Sequence, residues 1–159
     1  MPRRRPGALR AALPAHRPAP AWARDLGPVD DRLSAGTTAA IHFAEHTSRH
    51  VDIAPGVTAR MLARYRAFVR APGGRAALEP SSCPACPGCR YDDIAECRDT
   101  LEEVVAVLPP AAAGELRRLL DRLDARFRRR TFPDPLSWSS RWRADPRRWW
   151  LRRLYEGGG

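Results

Sequence analysis

All four cysteines of this 159-residue chain fall within fifteen residues, as Cys83, Cys86, Cys89 and Cys97 in the spacing C-x2-C-x2-C-x7-C. A tetrahedral ion needs four sulfurs at about 2.3 Å, and two-residue spacers let a single turn present successive thiolates to the same metal. Zn2+ is the expected cofactor. Four thiolates leave no open position for water, so its expected role is structural, with metal affinity acting as folding free energy. No apolar h-region follows the basic N-terminus, which favours metal ligands over disulfides and an intracellular, cytoplasmic setting.

Other chemistry fits the same residues less well. Cys83-Pro84-Ala85-Cys86 resembles one half of a zinc ribbon, but Cys89 follows in the same loop and Cys97 falls in the next helical pattern. The run C-x2-C-x2-C is also used by bacterial ferredoxins, so an iron–sulfur cluster is the alternative cofactor. Against it, the x7 spacer before Cys97 is longer than the ferredoxin run has, and Pro84 and Pro87 lack the amide donors that cluster sulfurs accept from. Cys86-Pro87-Gly88-Cys89 reads as a redox dithiol only inside a βαβ pattern, which is absent. The bland reading is four reduced thiols, with Cys97 simply filling an apolar stripe.

His42, His46 and His50 recur at i, i+4 and i+8, which on one helix would stack three imidazoles as a second metal face beside Glu45. The segment from Thr37 to Asp52 is only weakly amphipathic and holds no H-E-x-x-H pattern. A polar helix or linker that happens to carry histidines is therefore expected, and no catalytic residue is assigned.

A third chemistry belongs to arginine. All 28 basic residues are Arg, which reports a coding sequence rich in G and C as well as any ligand. By segment the net charge is +4 over residues 1–36, +3 over 37–80, −4 over 81–110 and +7 over 111–159. The concentrated surface is thus Arg126, Arg128, Arg129 and Arg130, followed by Arg141, Trp142, Arg143, Arg147, Arg148, Arg152 and Arg153. Guanidinium groups pair bidentately with phosphate and indoles stack on bases, so nucleic acid or an acidic protein is the expected partner. Against this stands the need of a short chain for large apolar residues, which favours Trp149 and Trp150 as core.

The elements that would position these groups read as all-α. From Val57 to Arg70 the residues Met61, Leu62, Tyr65, Phe68 and Val69 have helical spacing, with Thr58 placed to cap and Ala71-Pro72-Gly73-Gly74 to stop. Asp92 or Asp93 can cap a second helix whose stripe is Ile94, Cys97, Leu101, Val104, Val105 and Leu108. After Pro109-Pro110 a third runs through Leu116, Leu119, Leu120, Leu123 and Phe127, pairing with the second as an antiparallel hairpin. Asp145-Pro146 predicts a short last helix carrying Trp149, Trp150, Leu154 and Tyr155.

Six prolines and an Arg3-Arg4-Arg5 run mark residues 1–36 as a disordered basic tail. Residues 37–156 are expected to form one zinc-stabilised helical domain, with 157–159 frayed. No apolar run approaches the roughly 20 residues of a membrane span. The expected function is a non-enzymatic, metal-stabilised binding or adaptor protein. An iron–sulfur or thiol redox protein is the first alternative, and an accessory subunit docking through its Trp segment is the second.

Overall fold

The computed structural model describes residues 29–30, 32–81, 83, 85, 86, 88–136 and 145–156. The described residues form four α-helices: α1 Ala35–Thr47, α2 Val57–Arg70, α3 Ile94–Val107 and α4 Pro110–Arg130. One 3-10 turn, Cys89–Asp92, precedes α3, and another, Trp149–Leu151, lies near the C-terminus. The all-α expectation holds. Most of the expected tail lies outside the described residues, but Val29 and Leu33 are buried and Asp30 pairs with Arg66. The packed body therefore begins before residue 37.

The apolar stripes become the core as their spacing requires. Met61, Leu62, Tyr65 and Val69 of α2 meet Cys97, Leu101, Val104 and Val105 of α3 and Leu116, Leu119, Leu120, Leu123 and Phe127 of α4, all buried. Each such leucine stabilises by about 2 kcal/mol relative to an exposed one. α3 and α4 are joined through Leu108 and Pro109. They run antiparallel, since Arg98 pairs with Asp124 while Glu102, a turn further along α3, pairs with Arg117, two turns earlier on α4. Asp93 caps α3 by accepting from the Ala95 N–H at 2.8 Å.

Two local expectations are corrected. Thr58 does not cap α2, which starts from Gly56 in the left-handed region at φ 79°. The cap is supplied across the loop by buried Glu45 of α1, which accepts from the Gly56 N–H at 2.8 Å and the Thr58 N–H at 2.7 Å. The predicted last helix is only the turn Trp149–Leu151. Beyond it the backbone is drawn into long-range pairing: Leu78 N–H donates to Leu154 O at 2.7 Å, Leu154 N–H to Phe132 O at 2.9 Å, and Glu156 N–H to Leu78 O at 2.8 Å. Those bonds tie the segments around residues 76–78, 131–133 and 153–155 into isolated bridges, and they take the amides a continued helix would have used.

Candidate functional site

The cysteine loop leaves the core after buried Leu78 and returns to it through the Cys89–Asp92 turn. Its first half is a tight turn in which Cys86 N–H donates to Cys83 O at 3.1 Å and Arg90 N–H to Cys86 O at 3.0 Å. The Ser81 hydroxyl donates to Cys89 O at 2.7 Å and fastens the loop's base. Arg90 holds the far side, its Nε 2.7 Å from Glu96 and its Nη1 2.8 Å from Asp52. Cys83 is exposed and Cys86 and Cys89 are half-buried.

Their thiols interact. Backbone N–H groups of Cys89 and Gly88, then the Cys89 thiol, hold Cys86 below the usual cysteine range. Cys89 is pushed up, first by its hydrogen bond with Cys86 and then by the charge of Cys86, with Cys83 contributing as well. Of the pair, Cys86 is the one that gives up its proton more readily, and thiolate is the form that binds metal or attacks a disulfide.

Cys97 stands apart from this group. It projects from the first turn of α3 as the spacing predicts, but its sulfur is fully buried and donates to the Tyr91 carbonyl at 3.2 Å. Burial pushes its pKa up to about 12. The same carbonyl accepts from Arg64 Nη1 at 2.8 Å. Among the described residues, no three or more His, Cys, Asp or Glu side chains are gathered closely enough to enclose a metal ion. The four-sulfur arrangement read from the spacing is thus not assembled in this conformation.

The histidine ladder does not form. α1 ends at Thr47, so His50 lies beyond the helix, with its Nε2 3.7 Å from Glu103. His42 is buried and His46 exposed. The i, i+4, i+8 pattern assumed a helix that continued past Ser48, whose backbone is extended.

The Arg and Trp positions divide by role. Arg153 is buried; it donates to Thr131 O at 2.7 Å and Arg128 O at 3.1 Å, closing the C-terminus of α4 where the helix dipole is negative. Arg130 does the same for α2 through Ala71 O and Gly73 O. Arg148 pairs with Asp99 and Glu103, and Arg147 with Asp145. Arg128 lies 3.9 Å over the Trp149 ring, and Arg153 approaches it at 5.8 Å. Trp150 is buried beneath Arg98, 4.0 Å from its ring centroid. Trp150 is core and Trp149 packs half-buried against it, as the chain's need for apolar bulk suggested. Arg126 and Arg129 are exposed, Arg152 is half-buried, and Arg141, Trp142 and Arg143 lie outside the described residues.

One constellation escapes sequence reading. The Tyr65 hydroxyl donates to Asp124 at 2.7 Å, and Arg98 grips both oxygens of the same carboxylate at 3.0 and 3.2 Å. Trp150 Nε1 donates to Asp99 at 3.0 Å. Each charge in this chain of contacts has a partner, so it reads as a structural brace joining α2, α3, α4 and the C-terminal turn. Its only sequence trace is a run of polar residues, Arg98 to Thr100, in the apolar stripe of α3.

An open cavity of about 420 Å³ lies beside the cysteine loop, lined by Val51, Val57, Arg60, Arg90 and Tyr91 among others. Its carboxylate, Asp52, is already paired with Arg90. No family model matches the chain, and neither a curated protein nor a solved structure resembles it at a significant level.

Proposed function

We propose that this chain is a non-enzymatic helical binding module whose cysteine loop takes up Zn2+ as a structural brace. The observation that carries this reading is the Cys83–Cys89 turn itself. Three thiols share one short loop, two backbone amides favour the thiolate of Cys86, and the loop's outward half contributes little to the core. Amide donors aimed at a thiolate are also what a metal-bound sulfur needs.

Cys83, Cys86 and Cys89 are the residues that would hold the ion. Cys97 completes the set only if its sulfur leaves the Tyr91 carbonyl. The bound metal would supply cross-linking of the loop, whose C-terminal end already reaches α2 through Arg64 and α3 through Asp93. Elemental analysis of protein purified without chelator tests the reading. One zinc per chain is expected, lost in Cys86→Ser, and retained in Cys97→Ser if three thiols suffice. Absence of metal together with a melting curve unmoved by chelator would refute it.

A second reading is favoured by one specific contact, the hydrogen-bonded Cys86–Cys89 pair with unequal proton affinity. Such a pair suits thiol–disulfide exchange, with Cys86 as attacking thiolate and Cys89 as its resolving partner. A reversible Cys86–Cys89 disulfide formed in metal-free protein by glutathione disulfide, seen by peptide mass mapping, would support it. A brown sample absorbing near 400 nm would instead indicate the iron–sulfur alternative.

A further inference from the structure

We propose that the outward face of α4, carrying Arg118, Arg122, Arg126 and Arg129, is a docking surface for the phosphate backbone of duplex nucleic acid. The proposal rests on the reading of the chain as a binding module and gives that module a partner. It also narrows the basic surface expected from the sequence, keeping Arg126 and Arg129 and adding Arg118 and Arg122 of the same helix.

At 3.6 residues per turn these four arginines fall within a sector of about 80°, spread over about 16 Å of helix axis in steps of about 5 to 6 Å. The opposite side of the helix is the buried stripe from Leu116 to Phe127, so the sector faces solvent. No carboxylate among the described residues forms an ion pair with Arg122, Arg126 or Arg129. Arg118 lies near Glu115, but that carboxylate is occupied by Ser34 and Thr37 at the start of α1. Asp121 lies about 60° outside the sector. The other basic residues of α4 are engaged: Arg117 pairs with Glu102, Arg128 stacks on Trp149, and Arg130 caps α2.

The chemistry of the sector selects the occupant. By the same spacing the sector also holds Ala111 and the already occupied Glu115, with Ala125 at its margin, so no large apolar side chain is available to enter a membrane interface and no aromatic anchor to seat in a protein pocket. Evenly spaced guanidinium groups without such anchors match evenly spaced phosphates, to which each can donate a bidentate pair. Single-stranded nucleic acid is held mainly by bases stacking on aromatic rings. Trp150 is buried and Trp149 is covered by Arg128 and Arg153, so those platforms are closed. The sector itself carries no aromatic platform, so backbone contact to a duplex, without base readout, is the mode that fits it.

Fluorescence anisotropy with a labelled 20-base-pair DNA duplex, titrated from 50 to 200 mM salt, tests the surface. Four phosphate contacts predict a slope of log affinity against log salt near −3.6, a loss of about a hundredfold over that range. The triple variant Arg122→Gln, Arg126→Gln, Arg129→Gln should keep its helical circular dichroism and melting temperature, weaken binding at 50 mM salt by at least tenfold, and flatten the slope by about 3. Arg49→Gln, between α1 and α2 and outside the sector, should change neither. No binding at 50 mM salt overturns the proposal, and so does binding that survives the triple variant. Equal affinity for polyglutamate with the same arginine dependence would assign the face to an acidic protein instead. Zinc content is measured independently of any α4 substitution, so failure here and failure of the metal reading are separable.

Discussion

The Cys97 thiol donates to the Tyr91 carbonyl at 3.2 Å, and through this contact the last turn of the cysteine loop is fastened to α3. Because Arg64 of α2 donates to the same carbonyl, one backbone oxygen gathers the loop and two helices. The neutral thiol is the species that can donate, and burial keeps it neutral.

That has a consequence at alkaline pH. Cys97 moves from an ordinary value of 9.0 to about 12 in the folded chain. A group whose proton is held more tightly when folded stabilises fully below its unfolded value and loses that contribution as pH climbs to the folded one. Metal-free protein should therefore lose the Cys97 contribution between pH 9 and 12. In urea titrations the advantage of the native chain over Cys97→Ala should be constant up to about pH 8.5 and shrink above pH 9. An advantage that held steady to pH 11 would mean the thiol is not buried as described.

Asp124 is the hub of the buried brace. Replacing it with Asn leaves Arg98, 6% exposed, with only Glu102 at 3.1 Å and the Trp150 ring as compensation. Removing one partner of a buried ion pair costs about 3 kcal/mol at the lower end of measured cases, which is the expected loss for Asp124→Asn in chemical denaturation. Tyr65→Phe alone should cost about 1 kcal/mol, and less in the Asp124→Asn background because the hydroxyl would already have lost its carboxylate. A cost under about 0.5 kcal/mol for Asp124→Asn would contradict the brace.

Glu45 predicts a local effect. Its two oxygens satisfy the Gly56 and Thr58 amides at the start of α2, so Glu45→Ala should destabilise by about 2 kcal/mol, while Glu45→Gln keeps one acceptor and should lose about half as much. Hydrogen exchange would localise the change to residues 56–60 if the cap is the cause. Uniform acceleration across α3 and α4 would point to general loosening of the core instead.

Helical periodicity made α2, α3 and α4 readable almost residue by residue, because the stripe that must be buried is itself the signal: Met61, Leu101 and Leu120 each lie where the spacing put them. The caps were readable only where the acceptor was adjacent. Asp93 caps α3 from the next position along the chain, whereas α2 is capped by Glu45 from another helix, and Thr58 offered a local cap that the fold did not use. The last helix failed for the same reason. Local propensity at Asp145-Pro146 started a turn, but pairing with Leu78 and Phe132, more than twenty residues away, then took the backbone.

The candidate site divides along that line. Composition and spacing alone determined that this is a small helical chain with four clustered thiols and an excess of arginine, since residue identity and period are local properties. Which thiols meet, which arginines cap helices and which face water depends on side chains brought together from distant segments. Only tertiary packing could separate Cys97 from Cys83, Cys86 and Cys89, cover Trp149 and Trp150, and leave the Arg118 to Arg129 face of α4 as the open basic surface.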